Sequence, residues 1–184
     1  MSAGFVLLLV IVGAAVLCVA AYNGLVALRN QVKNAWQQIG VQLKRRHDLI
    51  PNLVEVVKDY MGYEQETLEK VIRARNQALS ASGVAGTAAA EGALSGALRS
   101  LFAVVERYPE LKANENVGRL QEELTSTENR IAFARQFYND SVMRYNTRLQ
   151  TIPTNVIASM GGFKEEAFFE VPALDQEPVK VDLR

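Results

Sequence analysis

The sequence predicts an all-α protein: an amino-terminal transmembrane helix continuing into an antiparallel bundle of long helices, with a short irregular carboxyl-terminal tail. Three observations carry that class. The chain opens on an uncharged apolar run, apolar residues then recur at steps of three and four over most of its length, and no segment joins strand alternation to turn residues. The organisation that follows is an anchor over 1–24, a helical bundle over 25–163 and an acidic tail over 164–184.

The apolar run "AGFVLLLVIVGAAVLCVAAY" covers residues 3–22. At ~1.5 Å per helical residue it matches the roughly 30 Å hydrocarbon layer of a bilayer. A cleaved secretory signal is the rival reading, with "VAA" at 19–21 as a small-residue site, but no basic region precedes the run and helical sequence follows it directly. Arg29 and Lys33 are the first charges after the span, which places the amino terminus outside and the bundle in the cytoplasm. Cys18 is the single cysteine and lies within the run, so no intrachain disulfide and no cysteine-based zinc site can form.

Beyond the span, Leu25, Leu28, Val32, Trp36, Ile39, Leu43, Ile50, Leu53, Val57 and Tyr60 keep a seven-residue repeat in which only Arg46 is not apolar. Pro51 removes one backbone hydrogen bond and crowds the carbonyl of His47. Asp48 could cap a restarted helix, yet the apolar steps keep phase across the proline, so the expectation is one continuous helix kinked at Pro51. The pattern runs on through Leu68, Val71 or Ile72, Arg75 and Leu79, loosened at Gly62.

"SASGVAGTAAAEG", residues 80–92, holds three glycines among small side chains and reads as a connecting loop. A second helix, 93–108, sets Leu94, Leu98, Leu101, Val105 and Tyr108 on one side and stops at Pro109. A third long helix carries Val117, Leu124, Ile131, Tyr138, Val142, Tyr145 and Leu149 and ends before Pro153. "TNVIASMGGF" is a last short helix closed by Gly161 and Gly162. The acidic tail that follows contains two prolines and is expected to dock in part through Phe168, Phe169 and Val171.

The charges balance at 20 basic and 20 acidic residues, which gives no field for nucleic acid. His47 and Asp48 cannot act on one atom together, because adjacent helical residues point about 100° apart. There is no Glu-x-x-His pair for a bundle metal site and no Gly-rich phosphate loop, and Glu64, Glu66 and Glu69 read as a solvated face. No catalytic residue, metal or cofactor is therefore assigned. Lys44, Arg45 and Arg46 do not reach lipid headgroups from an upright helix, since the 23 residues from Tyr22 to Arg45 span ~34 Å. Arg46 is expected to pair with a carboxylate of its own bundle, Glu122, Glu123 or Glu128, or to face a neighbouring protomer. The structural and interaction positions are Trp36, Arg46, Pro51, Tyr60, Arg75, Arg135 and Tyr138.

"YNGLVALRNQVKNAWQQIGVQLKRRHDLIPNLVEVVKDY" at 22–60, "RARN" at 73–76, "YPELKANENVGRLQEEL" at 108–124, "ENRIAFARQFYNDSVMRYN" at 128–146 and "IPTNVIASMGGF" at 152–163 together resemble the LemA family over nearly the whole chain. The closing "EPVKVDLR" is also similar, with Leu183 where members more often carry phenylalanine, and the Gly-rich 80–92 stretch often has a Gly-poor counterpart. The resemblance implies a bacterial protein with one amino-terminal crossing, a helical bundle, no enzymatic activity and gene neighbours that include membrane proteases. It brings no catalytic residues. The function expected is a non-enzymatic scaffold that self-associates at the inner membrane, its partners the lipid bilayer and further copies of itself. The alternative is an adaptor that presents the bundle or the acidic tail to a membrane protease or another membrane protein.

Overall fold

A computed structural model describes residues 3–61 and 64–170. The described residues form helices and no strand: α1 (Ala3–Lys58), α2 (Gln65–Ser80), α3 (Gly83–Val105), α4 (Pro109–Lys112), α5 (Glu115–Gln150) and α6 (Thr154–Met160). The fold is all-α, as its periodicity predicts. Two compact units divide it, one of residues 3–39 with 134–167, the other of 40–133 with 168–170 among those described.

In the first unit α1 and α5 run antiparallel. Trp36 packs against Tyr138 with ring centroids 5.5 Å apart, and seven residues earlier on α1 the charge of Arg29 acts on Tyr145, seven residues later on α5. Equal steps in opposite directions are what two antiparallel helices require. Leu25, Val32, Ala35 and Ile39 on α1 and Tyr138, Val142 and Tyr145 on α5 are buried, which realises the three-and-four spacing as a packed face. Before them, residues 3–20 of α1 are exposed throughout, and this apolar part is long enough to cross a membrane.

α6 closes the first unit, burying Thr154 and Ala158. The chain then reverses at Gly162, whose φ of +68° favours glycine. Residues 164–167 continue without regular structure along α5. Asn146 donates from Nδ2 to the Glu166 carbonyl at 2.9 Å and accepts the Glu166 N–H at 3.0 Å, and the Tyr138 hydroxyl donates to the Ala167 carbonyl at 2.8 Å. The first residues of the acidic tail are thus tied down through their backbone. Phe169 is buried and Phe168 is partly exposed, while Val171 and the rest of the tail lie outside the described residues.

The second unit has a core of Ile50, Leu53, Val57 and Met61 with Leu68, Val71, Leu94, Leu98, Leu101, Leu111 and Leu124. α1 passes through Pro51 without a break, and no restart at Asp48 occurs. It ends at Lys58, ahead of Gly62, which lies outside the described residues. α4 begins on Pro109, a residue suited to a first turn because its missing N–H is not needed there. Asn114 then caps α5, its Oδ1 accepting the N–H groups of Asn116 at 2.9 Å and Val117 at 3.3 Å.

The stretch 80–92 corrects the sequence reading. Only Ala81 and Ser82 separate α2 from α3, and Gly83 to Gly92 are helical. Each interior glycine weakens a helix by about 1 kcal/mol relative to alanine, but alanine is the best helix former and Ala85, Ala88, Ala89 and Ala90 stand between the glycines. Thr87, Ala88 and Glu91 are buried, so this part of α3 packs as well. α3 is also long and apolar enough to cross a membrane, yet Leu94, Leu98 and Leu101 belong to the core of this unit.

Candidate functional site

The repeat that buries the apolar face of α1 also carries Arg46 inside, leaving it 1 % exposed. A lone guanidinium in that position would be strongly unfavourable, so its partners decide whether the unit is stable. Nη2 donates to Glu91 Oε2 and, at 3.3 Å, to the Glu91 carbonyl. Nη1 donates to Glu128 Oε2 and, at 3.0 Å, to Ser95 Oγ. α1, α3 and α5 are therefore joined at one side chain.

Glu91 is the buried acid of this cluster. One of its oxygens meets Arg46, and Oε1 lies 2.7 Å from Nε2 of the buried His47. Burial opposes its negative charge, but the His47 hydrogen bond and the Arg46 charge together outweigh burial and hold the carboxyl below its usual range. Glu128 differs, with its side chain 41 % exposed, so the cluster grades from enclosed at Glu91 to open at Glu128. Arg45 also faces Glu123 at 3.7 Å, but both side chains are about half exposed and such pairs contribute little.

Pro51 and Arg75 form a second device one turn along. A helical residue normally donates its N–H to the carbonyl four residues earlier, and Pro51 has none to give to His47. Arg75 of α2 supplies the missing donor, Nε to the His47 carbonyl at 2.8 Å. The proline thus opens an acceptor that docks α2 onto α1, on the same residue whose ring holds Glu91.

Of the other sequence-derived positions, Trp36 is half-buried against Tyr138 in the first unit. Tyr138 is buried, and burial followed by the Glu166 charge raises its hydroxyl pKa. Arg135 is half-buried on α5, and Tyr60, two residues past α1, is 44 % exposed. Arg46, Pro51 and Arg75 come together; Trp36 and Tyr138 pair elsewhere. Glu128 is one of the three carboxylates expected for Arg46, whereas Glu91 and Ser95 escaped sequence reasoning. The signal available was Glu91 itself, the only acid between Glu69 and Glu106, standing in an otherwise apolar and small-residue stretch.

Chemically the cluster is a clamp. His47 Nε2 lies 2.7 Å from Glu91 Oε1 and is enclosed, and the Ser95 hydroxyl accepts from Arg46 and donates to Glu128 Oε1 at 3.5 Å. A hollow of about 310 Å³ opens beside Glu128 between Arg46, Ser95, Phe102 and Leu124. Among the described residues no group of three or more His, Cys, Asp or Glu side chains is placed to hold a metal. Breaking one partner out of a buried ion pair costs about 3–5 kcal/mol, so the pair favours the packing of α1, α3 and α5 that forms it.

Comparison with known proteins gives three informative relatives. The chain is 24 % identical to the magnetosome protein MamQ 2 of Paramagnetospirillum magneticum, covering 86 % of this chain and 68 % of the relative. It is 26 % identical to the magnetosome protein MamQ of Magnetospirillum gryphiswaldense, over 84 % of this chain and 66 % of the relative. Against the protein LemA of Metamycoplasma hominis the identity is 27 %, over 85 % of this chain and 72 % of the relative. The LemA family profile matches residues 35–183, a range that takes in the Arg46 clamp, the Pro51–Arg75 contact and α6. The chain belongs to the LemA family.

Proposed function

We propose that this protein is a membrane-anchored, non-enzymatic helical scaffold that self-associates at the bacterial inner membrane, with its amino terminus outside and its helical domain in the cytoplasm. The observation that carries the reading is α1 itself. One unbroken helix presents only exposed, uncharged side chains over residues 3–20 and then becomes a packed core element, a continuity that a bilayer explains and water does not. Self-association is supported by α5, where Phe133 is 73 % exposed and Phe137, one turn on, 43 % exposed. Aromatic side chains displayed in this way favour a protein partner, and an anchor concentrates copies in two dimensions. The clamp fits a scaffold because its buried side chains join three helices.

Crosslinking in intact cells, followed by mass spectrometry, tests the proposal. Homotypic crosslinks at Phe133→Cys and Phe137→Cys support the scaffold. A heterologous membrane protein captured in their place, and lost when residues 164–184 are deleted, replaces it with the adaptor reading.

A further inference from the structure

α6 displays an apolar face that the fold leaves open. Val156 and Met160 are one turn apart and 57 % and 84 % exposed, Ile152 in the preceding turn is 80 % exposed, and the opposite side of the helix buries Thr154 and Ala158. A helix facing water carries polar residues on that side. What lies beside α6 is the end of the apolar run of α1: Cys18, Val19 and Tyr22 enclose a hollow of about 390 Å³ together with Ile157, Met160 and Gly161.

The level of α6 along α1 is fixed by the reversal after it. A Cβ at Gly161 would sit 2.7 Å from the Phe163 ring, so glycine admits the ring there. Phe163 meets Tyr22 edge-on at 5.4 Å, and the Arg29 guanidinium lies 4.9 Å over the same ring. If residues 3–22 fill the hydrocarbon, Tyr22 marks its edge and Cys18, four residues earlier, lies about 6 Å inside. Amphipathic helices at a bilayer surface bury their apolar faces to about 5–10 Å, the same depth. Tyr22 and Arg29 are also the residue types that mark the water boundary.

We infer that α6 is an interfacial helix: Ile152, Val156 and Met160 insert into the acyl boundary of the bilayer that α1 crosses, and a lipid chain fills the hollow beside Cys18. The inference rests on the membrane-anchor reading of α1. Lipid is the occupant because the exposed face is continuous with the apolar surface of α1 at the same level, where a second copy would itself have to leave water.

The test uses the full-length protein with Cys18→Ser, reconstituted into phosphatidylethanolamine and phosphatidylglycerol vesicles and labelled with an environment-sensitive fluorophore at one introduced cysteine. Val156→Cys and Met160→Cys probe α6, Ile11→Cys reports the anchor, and Asp140→Cys is the aqueous reference. Quenching by shallow doxyl lipid several-fold stronger at 156 and 160 than at 140, with correspondingly weaker quenching by iodide, supports the inference. Open access of iodide to 156 and 160 while 11 is lipid-quenched overturns it and leaves the anchor standing. Iodide access at 11 as well overturns both. Protection of 156 and 160 from lipid and iodide alike, vanishing when protein density in the vesicles is lowered, also overturns it, because a second copy then covers the face.

Discussion

At the scale of single residues, three substitutions test the clamp and the contact beside it. Glu91 is held ionised below its ordinary value of 4.5 by His47 and Arg46 against the effect of burial. A carboxyl depressed on folding contributes stability above its unfolded value, and that contribution is lost as pH falls through the lower, folded value. Urea titrations in detergent between pH 7 and pH 3 should therefore show stability falling below about pH 4.5, with a shallower fall in Glu91→Gln. At pH 7 that variant, in which the amide can still hydrogen-bond and Arg46 still faces Glu128, should lose less than a whole buried pair, about 1.5–3 kcal/mol. Arg75→Ala leaves the His47 carbonyl without a donor, whereas Pro51→Ala restores the helical N–H that would satisfy it. In a double-mutant cycle the loss caused by Arg75→Ala should shrink by about 1 kcal/mol in the Pro51→Ala background. Independent effects would show that Arg75 does not replace the missing donor. Arg46 was legible because a polar residue stands out on an otherwise apolar seam, and Glu128 was legible only as one of three carboxylates that the third long helix offers it. Glu91 was hidden by its neighbours, whose side chains are too small to mark a buried face.

At the scale of elements, apolar steps of three and four located α1 and α5, and failed where burial is by small or polar groups. α3 begins about ten residues earlier than the spacing of large side chains indicates, because Thr87, Ala88 and Glu91 are what it buries there. Its glycines give a direct check. A Cβ at Gly86 meets nothing within 4 Å, and the residue lies inside the helix. Gly86→Ala should raise stability by about 0.5–1 kcal/mol, read as a higher urea midpoint; a loop at that position would gain nothing in helicity. The return along α5 was illegible for another reason. Asn146 and Tyr138 recognise backbone groups of Glu166 and Ala167, a contact that imposes no pattern on the side chains of the returning segment.

At the scale of the whole molecule, the class of the fold and its family follow from features spread along the chain, and the proposed function rests on how its surfaces are divided. The start of α1 shows apolar side chains fit for lipid. The Arg46 clamp turns polar chemistry inward, where its side chains join α1, α3 and α5. α5 turns aromatic side chains outward. The proposed scaffold would need that division: a fixed interior, an anchor, and a face left for another copy. Light scattering of the detergent-extracted full-length protein at micromolar concentration measures this most directly. Multimers that dissociate on dilution, and that are lost in the Phe133→Ser, Phe137→Ser double variant, are expected; a strict monomer across the range would contradict self-association.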